Sequence, residues 1–528
     1  MKPFDQSGAF RPTAAEVSVR RLAVRGAGVT VLSSVVGLPI QMIATVVLAR
    51  LLTPADFGVV TMVTTFSLLL MNFGGNGFTE AVIQRDTISH ALISNLFWVN
   101  VGMGVLLTCA FAAAGSLMAR FYGDPNVAHV AAGVSLTIFF TSTSILHLAL
   151  LRRAMSFSTV SAIDVLARIV SVAVSIALGW TGWGYRALVA GAIAQPICQS
   201  VGAWLLCRWI PSFPRRVDGT GSMVRFALSV YGRFSVNYFA RNMDNLLVGW
   251  RFQAQSLGFY KKAYDLFALP ASLLVTSLTG VAVSALSRLN GNSAQYRRYF
   301  LSALEVLAFV GMGLAAYLTL VGKDLIRLLL GPGWESAGRI FTFFAPGIGA
   351  MLLYGTHGWI HLSIGRADRW FRWGIVEFVV TGLLFIGGLA WGPVGIAVAW
   401  AASFWILAIP GLWYAGKPIH LGITTVVVAV WKYLVASLLA GCASEIVIRT
   451  MPSFLTVSGS GEVALRILTT SLLFAILYSG AVIVLHQGYT PLYQVVGLLQ
   501  EMVPWSKLSR PSSVVAATCD TRTSKVVT

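Results

Sequence analysis

RLLTPADFGVV at residues 50–60 and WRFQAQSLGFY at residues 250–260 lie 200 positions apart and align with Gly58 on Gly258. Further matches keep the same order along the chain. Arg25 meets Arg225, and VGMG at 101–104 meets VGMG at 310–313. MARFYGDPNVAHV at 118–130 faces IRLLLGPGWESAG at 326–338, and GWTGWGYRALVAG at 179–191 faces GLAWGPVGIAVAW at 388–400. Apolar sequence aligns easily with itself, so no single match decides anything. Five in one order, with a slowly drifting offset, indicate an internal duplication.

What is duplicated is membrane sequence. Of the 528 residues, 56% are hydrophobic and only 11% charged, against about 25% charged in soluble proteins. Apolar runs of about 20 residues, each able to cross roughly 30 Å of hydrocarbon, account for this composition. A soluble enzyme, a secreted disulfide scaffold and a disordered polymer are excluded.

Apolar runs punctuated by charge, Gly and Pro predict about fourteen transmembrane helices, an all-α polytopic fold. Their limits are 27–49, 57–79, 91–116, 127–150, 159–179, 185–207, 226–249, 265–287, 300–321, 340–362, 374–391, 393–413, 431–449 and 463–485. The repeat divides them into a six-helix lobe over 27–215, a second six-helix lobe over 216–418 and an additional helix pair over 419–490. Residues 1–26 form a polar amino-terminal segment, and residues 491–528 a Ser/Thr-rich, charged tail expected to be disordered. With six spans per half, the lobes enter the membrane in the same orientation, which suits a two-lobed transporter with its site between them.

The net charge of +19, from 38 Lys+Arg against 19 Asp+Glu, would in a soluble protein suggest nucleic-acid binding. Here the basic residues stand singly or in pairs between spans, so no nucleic-acid partner is expected. Assigned to alternate sides, about 24 fall on the side of the termini and about 11 opposite, with three inside spans. The positive-inside rule therefore places both termini in the cytoplasm. Trp180, Trp183, Tyr185, Trp209, Trp370 and Trp391 sit near span ends, like an interfacial belt. The basic start and the long apolar stretch after it do not read as a cleavable signal peptide. Cys109, Cys198, Cys207, Cys442 and Cys519 form no CxxC pair, and no metal site is expected.

LARLLTPADFG at 48–58, AVIQR at 81–85, GWGYRALVAG at 182–191 and NMDNLLVGWRFQAQSLGFYKKAY at 242–264 resemble the flippases of lipid-linked oligosaccharides. These are the O-antigen and exopolysaccharide branch of the multidrug/oligosaccharidyl-lipid/polysaccharide superfamily. The resemblance covers roughly residues 20–415. It implies two lobes forming a V around a central cavity, in the inner membrane of a bacterium. The implied substrate is an oligosaccharide repeat unit on a polyprenyl (pyro)phosphate, moved from the cytoplasmic to the periplasmic leaflet. A polysaccharide polymerase or export machinery would be the partner, besides the bilayer itself.

Ionisable residues inside a span are costly and each is a functional hypothesis. In the seventh span Arg233, Asn237, Arg241 and Asp244 fall at about 0°, 40°, 80° and 20° around a helix. Such a face cannot meet lipid; it lines a wet cavity or a neighbouring helix. Guanidinium groups there could hold a pyrophosphate bidentately, while Arg241 and Asp244 could also neutralise each other. The 200-residue offset points to Ser33 and Gln41 on the first span as the matching contacts. Asp164 and Arg168, four residues apart, read first as a self-neutralising pair. Asp164, Glu305 and Glu377 are the candidates for ion coupling, since an intramembrane carboxylate can carry a proton or help hold sodium. No GxxxxGK[ST] loop is present and no cofactor is expected, so a proton or sodium gradient is the expected energy source.

Two other functions compete. A membrane polymerase or ligase would need an acid/base cluster at an exposed loop, and His357 with His361 is the nearest approach to one. A drug/cation antiporter of the same superfamily would favour an acidic cavity, against the two arginines of span seven.

Overall fold

The computed structural model describes residues 3–5, 7–10, 19–75, 77–85, 87–215, 217–450 and 460–489. The expected disordered tail, 491–528, lies outside them. Among the described residues fifteen α-helices follow in chain order: α1 (Val19–Leu51), α2 (Pro54–Gly75), α3 (Phe78–Gln84), α4 (His90–Tyr122), α5 (Asn126–Arg153), α6 (Phe157–Trp180), α7 (Tyr185–Cys207), α8 (Thr220–Arg288), α9 (Ser293–Leu330), α10 (Glu335–Phe344), α11 (Gly347–Ser363), α12 (Ala367–Gly388), α13 (Gly392–Gly416), α14 (Ile423–Thr450) and α15 (Ser460–His486). Among the described residues the only strand-like pairings are isolated bridges near the amino terminus, Phe4 with Phe10 and Ala9 with Ser89. There the Gly8 carbonyl accepts from the His90 backbone N–H at 2.8 Å, docking the segment on the start of α4.

The element breaks follow local chemistry. α2 stops within the NFGGNG run, at Gly75. Gly123, in the left-handed region at φ 70°, ends α4, as a residue without Cβ can do cheaply. Gln253 interrupts α8 with φ 64° and ψ −178°, making two halves, 220–252 and 254–288, where the sequence predicts two spans.

Ten helical stretches of the described residues are long and apolar enough to cross a membrane, or eleven counting a pair bent by 51°, Pro332–Phe344 with Gly347–Ser363. The protein is therefore a multi-pass membrane protein, but this measure does not reach the expected fourteen. One qualifying stretch, Asp368–Ile419, contains both α12 and α13. The first half of α8 is not among the qualifying stretches, and it carries Arg225, Arg233, Asn237, Arg241, Asn242, Asp244 and Asn245.

The duplication is visible in the packing. In the first lobe α4 packs on α5, α5 on α7, α7 on α6, α2 on α5 and α1 on α6. In the second, α9 packs on α10 and α11, α11 on α13, α13 on α12, and α8 on both α11 and α12. Each contact of one list has its counterpart in the other. The additional pair, α14 and α15, packs on α9.

Buried side chains separate along the same lines. One core joins the lobes at the α1–α2, α4–α5 and α9–α10 connections and the bend of α8, and includes Phe57, Met62, Tyr122, Leu257, Tyr260 and Trp334. At the opposite end are two further clusters, one with Phe78, Leu96, Leu146 and Cys207 in the first lobe, the other with Phe300, Leu304, Trp359 and Tyr433 in the second. The start of α8, through Met223 and Ala227, packs into the first of these.

Candidate functional site

The meeting point is built by the two glycines that align across the repeat. A methyl group on Gly58 would lie 1.7 Å from the Ala254 carbonyl oxygen, and one on Gly258 1.8 Å from the Pro54 carbonyl oxygen. Pro54 and Ala254 are themselves 200 residues apart, so the crossing is two-fold symmetric at the level of single atoms. No side chain larger than hydrogen fits either position without moving the helices apart.

Around this crossing the symmetry continues with different chemistry. Arg50 donates to the Leu328 carbonyl at 2.8 Å, reaching the end of α9. Its counterpart Trp250 stacks on Phe121 at the end of α4, with ring centroids 6.4 Å apart. The Trp334 indole donates to the Ala49 carbonyl at 2.8 Å and its ring meets Phe57 at 5.6 Å. The Lys262 ammonium sits 4.1 Å from the centre of the Phe57 ring, and Lys261 pairs with Asp265 at 2.8 Å.

Away from the crossing the lobes share two seams, which the repeat makes equivalent. One is the first half of α8 along α2. Tyr238 donates to the Thr65 carbonyl at 2.8 Å and Tyr231 to the Leu69 carbonyl at 3.1 Å. At its far end a methyl on Gly77 would lie 2.7 Å from the Ala227 carbonyl oxygen. The other seam, α1 along the second half of α8, is not packed among the described residues: α1 instead packs on α6 and, at its end, on α9. Val31, Leu32, Val35, Val36 and Ile43 of α1 are left exposed.

The sequence-derived contacts distribute unevenly over this frame. Ser33 is half-buried on α1 and donates to the Thr30 carbonyl at 2.8 Å; Gln41 is exposed on the same helix. Asp244 is buried, and its carboxylate accepts from the Tyr260 hydroxyl at 2.8 Å and from the Asn245 backbone at 2.8 Å. It thus ties the two halves of α8 across their bend. The side chains of Arg233, Asn237 and Arg241 lie outside the described residues.

Asp164 and Arg168 do not form the ion pair expected of them. Asp164 accepts from the Gln199 amide at 3.1 Å, binding α6 to α7. Arg168 reaches the other way, to the Gly37 carbonyl of α1 at 3.4 Å. Gly37 lies between Ser33 and Gln41 at one-turn intervals, so a guanidinium from α6 stands against the face of α1 whose own residues are uncharged. The sequence hides this, because Asp164 offers a nearer partner at i−4.

Of the other carboxylates, Glu305 is half-buried on α9, beside Tyr433 of α14. Glu377 on α12 accepts from the Tyr354 hydroxyl at 2.9 Å. Arg153 is committed to structure: it donates to the Val82 and Arg85 carbonyls, both at 2.6 Å, and so satisfies the carbonyl end of α3. Among the described residues no group of His, Cys, Asp and Glu could hold a metal ion.

Residues 47–339 match the family described as polysaccharide biosynthesis protein. Teichuronic acid biosynthesis protein TuaB of Bacillus subtilis is 25% identical over 346 residues, which cover 64% of this chain and 69% of TuaB. Succinoglycan biosynthesis transport protein ExoT of Rhizobium meliloti is 19% identical over 396 residues, 75% of this chain and 79% of ExoT. In architecture the chain is similar to the lipid II flippase MurJ in an inward closed conformation, with a TM-score of 0.69 at 15% identity, covering 86% of this chain and 98% of MurJ.

Proposed function

The chain belongs to the polysaccharide biosynthesis protein family, and from that premise we propose that it flips polyprenyl-(pyro)phosphate-linked oligosaccharide repeat units from the cytoplasmic to the periplasmic leaflet of a bacterial inner membrane. It is a transporter and not an enzyme. The observation that carries the reading is the unequal pair of seams. A substrate with a sugar head and a polyprenyl tail needs a wet, polar interior that is open sideways to the bilayer. The open seam beside α1 supplies the lateral opening, and Ser33, Gln41 and the Arg168 guanidinium lie on the helices that border it.

In this reading the (pyro)phosphate meets Arg168 from the first lobe and Arg233 and Arg241 on the first half of α8, while the polyprenyl chain stays in lipid. Arg is suited to this because its planar fork can bind phosphate oxygens in pairs. With both termini in the cytoplasm, the sealed crossing at Gly58 and Gly258 is the periplasmic gate, and the lobes rock about it. A substrate can drive that motion only by binding the two states with different affinity. A proton or sodium gradient supplies the energy, with Asp164, Glu305 and Glu377 as coupling candidates. The product would be handed to a polysaccharide polymerase or export machinery.

The test uses membrane vesicles from cells lacking this protein, charged with the host's own radiolabelled lipid-linked repeat units. Adding the wild-type chain should make the units accessible on the opposite face. Arg168→Ala, Arg233→Ala and Arg241→Ala should each slow that appearance. Units that remain on their original face with the wild-type protein present would refute the function; full rates in all three variants would refute the cationic site.

A further inference from the structure

Within the second lobe lies a polar cluster that neither the crossing nor the seams use. On α11, Tyr354, His357 and His361 fall on one helical face; on α12, Arg369, Trp373 and Glu377 do the same. The Trp373 indole donates to the Tyr354 hydroxyl oxygen at 2.8 Å. Tyr354 in turn donates its own proton to Glu377 at 2.9 Å. The Tyr354 backbone carbonyl, an acceptor only, is the partner of His357 Nδ1. In the neutral ring this puts the proton on Nδ1 and the lone pair on Nε2.

Next along α11 is His361, fully buried, with neither ring nitrogen hydrogen-bonded. Leaving such groups bare is costly, so a side chain kept there for packing alone would be better replaced by an apolar one. Ring contacts nevertheless connect it: His361 lies 5.9 Å from His357 and 5.9 Å from Tyr414, and His357 lies 4.4 Å from Tyr354, between centroids.

The groups facing His361 decide its charge. α11 contributes His357, and α12 contributes Asp368 and Arg369. From α13 comes Tyr414, whose carbonyl accepts from Arg369 at 2.6 Å and whose ring lies 4.2 Å under the guanidinium. α9 offers Tyr296, engaged with Ser363 at 2.6 Å. Among the described residues α8 contributes the uncharged Thr279, bonded to Trp359 at 2.9 Å.

We propose that His361, edge-on to His357 and linked through the Tyr354 ring chain to the Glu377 carboxylate, is the proton-binding site that couples this lobe to the proton gradient. This deepens the flippase reading and rests on it. One proton adds from water to a lone pair of the imidazole and leaves from the same ring; no other bond changes. In the conformation seen here the ring is sealed from water. Rearrangement of α11 against α12 exposes it to water or to a carboxylate, where it charges. Because the two states hold different numbers of protons, a pH gradient biases their populations.

The test uses the full-length chain in vesicles of phosphatidylethanolamine and phosphatidylglycerol, with the host's extracted, radiolabelled lipid-linked repeat units as probe. Their steady-state distribution between leaflets is measured with and without a gradient of one pH unit. One coupled proton shifts that distribution by about 10-fold. His361→Gln and Glu377→Gln should abolish the shift, and Tyr354→Phe should reduce it. His129→Gln, at an exposed site on α5, should keep it. If His361→Gln fails to fold, Glu377→Gln and Tyr354→Phe decide. Units that move but ignore the gradient, or a full shift in the folded variants, overturn the proton site and leave the flippase intact. Units that do not move at all would count against the flippase instead.

Discussion

The two seams between the lobes are built from equivalent segments and end in different states. Along α2, the first half of α8 is held at several levels, by Tyr238 on Thr65, Tyr231 on Leu69 and the close approach at Gly77. Its counterpart, α1 against the second half of α8, shows no such packing among the described residues. Duplication fixes the crossing, because Gly58 and Gly258 must both be small for either to pack. It leaves the seams free to differ. Tyr231 and Tyr238 correspond to Val31 and Leu38, which have no hydroxyl to donate across a seam. A seam that can open is one whose residues give it no polar latch.

The largest expected effect is on the open side. If Arg168 meets the substrate phosphate beside α1, Arg168→Gln removes a charge-assisted contact of about 1.5–3 kcal/mol, or about 10- to 100-fold in apparent affinity. Arg168→Lys should recover little of it, since the bidentate geometry is lost. The check is the concentration dependence of repeat-unit transport; an Arg168→Gln variant with wild-type affinity would leave the open seam without a cation of its own.

At the crossing, Gly58→Ala and Gly258→Ala should each destabilise the protein by about 1–3 kcal/mol through overpacking. Thermal unfolding in detergent reads this. The sharper point is equality: a cost at one glycine and none at the other would break the two-fold description.

On the sealed seam, Tyr238→Phe removes one hydrogen bond, worth about 1 kcal/mol. It should raise labelling of a cysteine placed at Thr65, while Leu38→Phe on the open side should change nothing. The smallest effect concerns α15, whose Arg466 pairs with Asp324 of α9. Arg466→Gln should lower stability by no more than about 1 kcal/mol, given the partial exposure of both groups, and leave transport unaltered. Loss of transport there would mean that the additional pair takes part in the rocking.

Much of this was legible in the sequence. The repeat could be read because Gly58 and Gly258 are demanded by a backbone contact, and such positions keep their spacing. The bend in α8 was visible as a break between two apolar runs. The asymmetry was not, since it depends on which of two equivalent contacts is made. Neither was the place of Arg168: Asp164 at i−4 gave it a local partner, and only the packing of α6 on α1 shows the guanidinium turned away. Asp244 likewise finds Tyr260, sixteen residues on, because Gln253 leaves the helical region and lets the halves of α8 approach. The first half of α8 falls short of the length-and-composition measure because Arg233, Arg241 and Asp244 interrupt it, while the second half keeps the apolar run of 265–287.

The central claim, that one seam is closed while its equivalent stands open, is tested by cross-linking in membranes. In a chain without native cysteines, Leu69→Cys with Tyr231→Cys tags the closed seam, and Leu269→Cys with Val31→Cys tags the positions 200 residues away in the open one. A short bifunctional maleimide should join the first pair readily and the second pair hardly at all. Equal cross-linking of both pairs, or preferential joining of Val31→Cys to Leu269→Cys, would contradict the account.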